Sequence, residues 1–272
     1  MKQLNNKLVL ITGGGSGIGR QMALLFSREG SRIILWDVDE TSMKSVAKEI
    51  NDIGGKVWMF VCDVSDKDLV YKTADSIKRD IGKVDVLVNN AGVVSGKPFL
   101  ECTDEEIKKT MNVNIIAHFW TVKAFLPDMI ASDSGHLVTI ASAAGCIGVN
   151  SLADYSASKF AAVGFNESIR MELRKTGIDG VKTTVVCPYY INTGMFEGVK
   201  TRYKLFLPIL NEDFVARKII HAVKKDREVL KMPPLVYIIP LLRLLPVRLM
   251  DRISDILGIS STMDEFVGRN GK

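Results

Sequence analysis

The chain has 272 residues, of which 47% are hydrophobic and 25% are charged, and its formal net charge is +5. This length and composition predict one folded α/β domain and argue against a disordered chain. Four cysteines without C-x-x-C spacing and only three histidines argue against a disulfide framework and a metal site, and they predict a reducing compartment.

The positive charge is concentrated in the last part of the chain. From residue 200 onward there are 14 Lys and Arg against 8 Asp and Glu. No basic run is interleaved with aromatic residues, so we predict no nucleic-acid partner. The first residues carry no apolar stretch long enough for a signal peptide or a membrane anchor, and we expect neither.

Strand and helix patterns alternate along the chain. The predicted strands are residues 7–11, 32–36, 56–62, 84–88, 137–140 and 181–187, and the predicted helices are 20–29, 41–53, 67–80, one from about 104 that Pro127 interrupts, and one carrying Tyr155 and Lys159. This alternation, with uniformly apolar strands, predicts an α/β fold: a doubly wound parallel sheet with helices on both faces. We predict a single domain, 1–272, in which residues 189–272 form a substrate lid and an apolar, basic C-terminal segment.

A glycine-rich segment separates the first strand from the first helix. It contains Gly13, Gly17 and Gly19, and the backbone N–H groups at such a helix start favour a pyrophosphate. The strict G-x-G-x-x-G spacing is absent, because Ile18 and Arg20 stand where a third glycine would be needed. We interpret the segment as a dinucleotide site; a tight turn without a ligand is the alternative.

Asp37 ends the second predicted strand, eighteen residues after the last glycine of that segment. An acidic side chain there accepts hydrogen bonds from ribose hydroxyls and repels a 2′-phosphate. Ser16 and Val38 supply no cation, so the sequence favours NAD over NADP. Arg20 and Arg32 are near enough in sequence to keep NADP open, and a solvated strand-end aspartate is the simpler alternative.

Tyr155 and Lys159 are four residues apart and would share one face of a helix. A neighbouring cation favours the phenolate, so the pair predicts a proton-transfer group, provided that a positively charged ligand helps to lower the pKa of the phenol. Ser142 follows the strand at 137–140 and would donate a hydrogen bond to the reacting oxygen. The Tyr–Lys spacing alone is equally typical of a surface helix.

Taken together, in order and over roughly residues 5–200, these motifs resemble the short-chain dehydrogenase/reductase family. The residues that carry the resemblance are Thr12, Gly13, Gly17, Ile18, Gly19, Asn89, Asn90, Ala91, Gly92, Asn114, Ser142, Tyr155 and Lys159. The resemblance implies that Tyr155 is the general acid/base and that Lys159 lowers its pKa and holds the nicotinamide ribose. It also implies that Ser142 orients the substrate oxygen and that Asn114 supports a proton-relay water.

The resemblance also implies a set of cofactor contacts. These are Gly13, Ser16, Gly17, Ile18, Gly19, Asp37, Asp63, Val64, Asn90, Ala91, Gly92, Tyr155, Lys159, Pro188 and Thr193. Asp63 and Val64 would contact the adenine, and residues 90–92 the adenosine ribose. Pro188 and Thr193 would flank the nicotinamide carboxamide, although Tyr189 replaces the usual glycine after the proline and leaves the shape of that loop open.

Loops beyond the carboxyl edge of the sheet set the substrate in such folds, here residues 143–152 and 189–210. Residues 145–149, Met195, Phe196 and the stretch 205–210 would line an apolar pocket, which predicts a lipophilic substrate. Ordinary lid and core packing is the alternative.

Two C-terminal stretches, residues 187–198 and 263–269, resemble the branch with retinol dehydrogenases, epidermal retinal dehydrogenases and lipid-droplet hydroxysteroid dehydrogenases. Many members of that branch carry an N-terminal hydrophobic anchor, which we do not expect here.

Residues 232–250 are strongly apolar but include four prolines and two arginines. This pattern predicts an element that lies on a membrane surface or covers another subunit, with the arginines meeting anionic head groups in the first case. The helices at 104–129 and 152–175 resemble the dimer interface of the family, so a homodimer or homotetramer is expected.

The sequence therefore predicts an NAD-dependent oxidoreductase that interconverts an alcohol and its carbonyl on a lipophilic substrate: a retinoid, a steroid or a long-chain alcohol. Two alternatives stay open, an NADP-dependent carbonyl reductase and a catalytically silent, membrane-associated scaffold that keeps the fold. The expected location is cytoplasmic, with peripheral contact to a membrane surface.

Overall fold

The structure is a computed structural model that describes residues 3–268. Seven strands form one parallel sheet in the order β3-β2-β1-β4-β5-β6-β7. The strands are β1 (Leu8–Thr12), β2 (Arg32–Asp37), β3 (Lys56–Val61), β4 (Val86–Asn89), β5 (Gly135–Ile140), β6 (Val181–Pro188) and β7 (Val229–Met232). The predicted doubly wound parallel sheet is confirmed.

Helices cover both faces of this sheet. They are α1 (Gly17–Arg28), α2 (Glu40–Asp52), α3 (Lys67–Asp80), α4 (Asp104–Met111), α5 (Ala117–Ala131), α6 (Ala153–Lys175), α7 (Glu212–Lys224), α8 (Ile239–Leu242) and α9 (Val247–Ile256). One apolar core lies between the sheet and α1, α2 and α7, and a second lies between the sheet and α3, α5 and α6. Strands with both faces covered become continuous apolar runs, as in β1 and β4.

The strand order reverses between β1 and β4, and side chains join the two strands at their carboxyl ends. Thr12 Oγ1 accepts hydrogen bonds from the backbone N–H groups of Asn90 and Ala91 at 2.9 and 3.0 Å. Asn90 Nδ2 donates to the carbonyl oxygens of Thr12 and Gly13 at 2.8 and 3.1 Å. The crevice at such a switch point is where doubly wound folds bind ligands.

The structure corrects the predicted elements in two places. The α1 helix begins at Gly17, so the last glycines of the segment form its first turn. Helix α5 continues through Pro127, because buried neighbours such as Phe125 and Met129 hold the turn that lacks one N–H bond. The irregularity of that region is a π-helical turn at Asn112–Ile116 instead.

Two elements of the C-terminal part were missed by the sequence analysis. Helix α7 carries an ordinary start signal, because Asn211 Oδ1 accepts from the N–H groups of Asp213 and Phe214 at 2.9 and 3.2 Å. Strand β7 has only four residues and a half-exposed pattern, which gives little periodicity to detect. The last four residues of the predicted 189–272 segment, including Arg269 of the tail resemblance, lie outside the described residues.

Candidate active site

A cavity of about 770 Å³ opens at the carboxyl edge of the sheet. Sixteen of the predicted site residues line it: Gly13, Ser16, Gly17, Ile18, Gly19, Asp37, Asp63, Val64, Asn90, Ala91, Gly92, Ser142, Tyr155, Lys159, Pro188 and Thr193. Asn114 lies behind the wall of this cavity, where its Oδ1 is 3.4 Å from the position that a Cβ on Gly92 would take. Residues from seven separate segments are thus brought to one cleft.

The glycine segment turns so tightly that it leaves no room for a side chain at Gly13 or Gly19. Gly13 has φ +63°, and a Cβ on Gly19 would lie 2.0 Å from the carbonyl oxygen of Gly13. The backbone therefore comes close to whatever the cavity holds, at the N-terminus of α1. A Cβ on Gly17 would lie 3.2 Å from the Thr193 side chain, so Thr193 faces this turn. The turn fits a dinucleotide pyrophosphate.

Asp37 at the end of β2 lies beside the glycine turn. Its Oδ2 accepts a hydrogen bond from Gly15 N at 2.9 Å, and its Oδ1 accepts from Asp39 N at 3.2 Å. Arg20 is directed elsewhere, because its Nε donates to Glu49 at 3.0 Å. Arg32 begins the same strand, roughly 16 Å away along β2 at the rise of an extended chain. Of Asp37, Arg20 and Arg32, it is therefore the Asp37 carboxylate that lies beside the glycine turn.

Tyr155 and Lys159 share one face of α6, as the spacing predicts. The Lys159 ammonium is 5.6 Å from the centroid of the Tyr155 ring and donates to the carbonyl oxygen of Ile140 at 2.9 Å. Ser142 ends the neighbouring strand segment with extended backbone, and its Oγ accepts from Ala144 N at 3.1 Å. All three side chains line the cavity. A phenol, an ammonium and a hydroxyl at one point form a proton-transfer arrangement.

From the sequence we expect Lys159 and a positively charged ligand together to lower the pKa of the Tyr155 phenol, and the protein alone does not lower it. Burial raises the pKa of Tyr155, and the Ser142 side chain lowers it by a smaller amount. Burial also lowers the pKa of Lys159, to about 8. The reason is that both groups are nearly fully buried, and burial disfavours the charged form of each.

Asn114 occupies the π-helical turn between α4 and α5 and is fully buried. Its Oδ1 accepts from Val93 N at 2.8 Å, while its Nδ2 donates to Val93 O at 2.9 Å and to Ser158 Oγ at 3.1 Å. The side chain therefore joins the loop after β4 to α6. Such turns recur at functional sites because they shift backbone groups out of the regular ladder.

The part of the cavity wall formed by residues 143–152 and 189–196 is apolar, in agreement with the two predicted loops. Its lining side chains there are Ala143, Ala144, Ile147, Val149, Leu152, Tyr189, Tyr190, Ile191, Met195 and Phe196. The stretch 205–210 does not belong to this lining, so that part of the prediction is wrong. Leu205 and Phe206 are 86% and 60% exposed, and Leu210 packs in the core beside α1, α2 and α7.

Sequence reasoning missed two kinds of lining residue and one residue that packs behind the lining. Val93 follows the predicted ribose loop, and Glu105, Lys108 and Lys109 reach the cavity from α4. The charges on α4 have no motif around them, so no local signal pointed to them. Phe266 packs with the lid residue Phe196, although the two are 70 residues apart in sequence.

A glycine turn that opens a helix, an acidic strand end and a buried Tyr–Lys pair around one cleft define a class of protein, a dinucleotide-dependent oxidoreductase. The short chain dehydrogenase family matches residues 7–204. The chain belongs to this family, within the branch of the retinol dehydrogenases. It is therefore an oxidoreductase that acts on CH–OH groups with a nicotinamide cofactor.

Three known proteins are similar over most of their length. Epidermal retinol dehydrogenase 2 of Homo sapiens is 47% identical over 273 residues, which cover 100% of this chain and 88% of the relative. A short chain dehydrogenase/reductase of Burkholderia phymatum in complex with NAD has 27% identity and a TM-score of 0.80, covering 96% of this chain and 98% of that one. A metagenomic short-chain oxidoreductase in complex with NADP has 29% identity and a TM-score of 0.72, covering 85% and 97%.

Proposed function

We propose that the protein is an NAD-dependent dehydrogenase that interconverts a lipophilic alcohol, in the first instance a retinoid, and its carbonyl. The observation that carries this proposal is the buried Tyr155–Lys159 pair in a cavity whose wall at residues 143–152 and 189–196 is apolar. Apolar walls favour a hydrocarbon body, and the polar groups of the pair favour a hydroxyl. The name of the human relative, a retinol dehydrogenase, supports the retinoid.

In this proposal Tyr155 accepts the hydroxyl proton of the alcohol, and Ser142 orients the same oxygen by a hydrogen bond. A bound oxidised nicotinamide supplies the hydride acceptor and a positive charge, which lowers the pKa of a nearby phenol. Lys159 adds a second positive charge and hydrogen-bonds to the ribose. Asn114 holds the loop after β4 in place beside them and supports the water of the proton relay.

The proposal is tested by a panel of retinol, steroid alcohols and aliphatic alcohols with NAD, followed at the absorbance of the reduced nicotinamide. Retinol turnover supports it. If a steroid or an aliphatic alcohol is turned over and retinol is not, that class replaces the retinoid as the proposed substrate. If none of these alcohols is turned over, the proposal is contradicted.

The position of Asp37 supports NAD, because a 2′-phosphate would meet a carboxylate there while Arg20 is held by Glu49. We expect Asp37→Ala to weaken NADH binding about tenfold and to strengthen NADPH binding, since the substitution removes both a ribose acceptor and a repelling charge. Dissociation constants from nicotinamide fluorescence measure both effects.

The matched control for this substitution is Asp52→Ala, at the exposed end of α2, which should leave both constants unchanged. NADPH binding that is tighter than NADH binding in the unaltered protein would contradict the assignment to NAD and would favour an NADP-dependent carbonyl reductase.

We also propose peripheral membrane contact through an apolar C-terminal face. Among residues 3–268, no helix is long and apolar enough to cross a bilayer. The short elements after β7 expose large apolar side chains, which are Tyr237, Ile238, Leu241, Leu244, Val247, Leu249 and Ile256. Arg248 and Arg252 on α9 are exposed beside them, and cations beside an apolar face favour an anionic lipid surface.

Arg243 has a different environment from the one that the sequence analysis expected. It donates to the carbonyl oxygen of Cys146 at 3.4 Å and lies 5.2 Å from the Phe160 ring centroid. Arg243 therefore packs the segment onto the body of the protein.

The homodimer or homotetramer expected from the sequence stays a prediction.

Leu244 is 80% exposed in the apolar C-terminal face. We expect Leu244→Glu to reduce co-sedimentation with phosphatidylcholine–phosphatidylserine vesicles about tenfold, because a leucine that would enter the lipid is replaced by a charge that the anionic surface repels. Leu100→Glu, at a residue that is 94% exposed before α4, is the control and should bind like the unaltered chain. Equal loss in both variants, or no binding of the unaltered chain, would contradict the membrane contact.

A further inference from the structure

The last described residues, 259–268, run back over the active site and are named here the C-terminal strap. Its backbone is joined to the lid at two points. Val267 N donates to the carbonyl oxygen of Glu197 at 2.8 Å, and Lys200 N donates to the carbonyl oxygen of Thr262 at 3.3 Å. The strap is thus attached along the length of the lid segment 197–200.

The strap packs closely against Gly198 of the lid and Gly96 of the loop after β4. A Cβ on Gly198 would lie 2.0 Å from the carbonyl oxygen of Glu265, and a Cβ on Gly96 would lie 2.0 Å from the Phe266 ring. Gly96 belongs to the loop after β4, which also carries the predicted ribose contacts. The strap therefore bridges the lid and the cofactor side of the cleft, at positions where only glycine leaves room.

A chain of aromatic rings leads from the strap to the base of the cavity. The ring centroids of Phe266 and Phe196 are 6.3 Å apart, and those of Phe196 and Tyr155 are 5.6 Å apart with an interplanar angle of 82°. Phe196 also meets Tyr190 edge to face at 5.1 Å, and Tyr190 Oη is 2.9 Å from Thr262 Oγ1. Two strap side chains therefore hold the two lid rings beside the phenol.

We propose that the C-terminal strap contributes to the active site. Phe266 and Thr262 are positioning residues that hold Phe196 and Tyr190 beside Tyr155. The two rings then restrict the orientation in which an alcohol can meet the phenol. The turn that carries Phe196 lies between Gly194 and Gly198, which have φ of +77° and +89°, a backbone conformation that favours glycine. This inference rests on the proposed function, since it assigns a positioning role toward the same reaction.

We expect Phe266→Ala to raise KM for the alcohol about tenfold and to lower kcat several-fold, since a misplaced substrate loses both binding and alignment. NADH affinity and the unfolding midpoint serve to exclude a general folding defect. Phe266→Leu refills most of the space against Gly96, so its KM and kcat should be close to those of the unaltered protein. Phe214→Ala removes a phenylalanine ring that is 45% exposed on α7, outside the cavity, and is the control, with unchanged constants.

Phe196→Ala should produce the same change as Phe266→Ala, and the double variant should be little worse than either single one, because both act through one ring. Additive effects, or an unchanged KM in Phe266→Ala, would overturn the proposal. Hydrogen exchange of the lid amides at 195–199 is a readout without turnover: faster exchange in Phe266→Ala supports the strap, and unchanged exchange overturns it. If no alcohol is turned over at all, the proposed function fails, while this exchange measurement still decides the role of the strap.

Discussion

Replacing Tyr155 by phenylalanine is expected to lower kcat at least about 1,000-fold, which corresponds to about 4 kcal/mol of transition-state stabilisation. The phenol is the buried group at the base of the cavity that can take the hydroxyl proton. The ring itself stays, so its contact with Phe196 and the shape of the cavity are kept. NADH binding should therefore change no more than about twofold.

The measurement pairs steady-state turnover of retinol with an NADH titration by fluorescence. Tyr71→Phe is the matched control, because it removes a phenolic hydroxyl on α3, against the second core and outside the cavity. Turnover in Tyr155→Phe above a tenth of the unaltered rate would contradict the assignment of the general base. Loss of NADH binding in that variant would show that the substitution damaged the site instead.

Replacing Lys159 by methionine is expected to lower kcat at least about 100-fold and to stabilise the folded chain at pH 7. The Lys159 side chain is 3% exposed, and burial lowers its pKa from 10.5 to about 8. Methionine fills a similar volume without a charge to bury. We expect a gain of about 1–3 kcal/mol in the free energy of unfolding, smaller than the full charge penalty because the Ile140 carbonyl loses its donor.

The pH dependence of that gain follows from the direction of the pKa change. Below pH 8 the ammonium is charged in the folded and the unfolded chain, so the cost of burying it is fully present. Between pH 8 and 10.5 the folded chain releases the proton first, and the stability of the unaltered protein rises with pH. The advantage of Lys159→Met should therefore be largest at pH 7 and should shrink toward pH 10.5.

Urea unfolding of both proteins at pH 7 and pH 10 measures this difference. Lys72→Met, at an exposed position of α3, is the control and should show no pH-dependent difference. Two results would contradict the interpretation of Lys159 as a buried charge. Lys159→Met could be less stable than the unaltered chain at pH 7, or it could gain the same free energy of unfolding at pH 7 and at pH 10.

The sequence determined the parts of the site that depend on local geometry. Tyr155 and Lys159 share a helix face because residues four apart do so in any helix. Gly13, Gly17 and Gly19 open α1, and Asp37 ends β2, because such residues mark the ends of elements. Alternating apolar segments also determined the parallel, doubly wound sheet.

Only the tertiary structure decided the features that depend on burial and on contacts between distant segments. Phe266 reaches Phe196 across 70 residues of sequence, and Asn114 joins the loop after β4 to α6 from a π-helical turn that no pattern predicts. The pKa of Tyr155 is raised, against the expectation from its lysine neighbour. Charge can be counted along a chain, but the loss of water around a group depends on everything that packs over it.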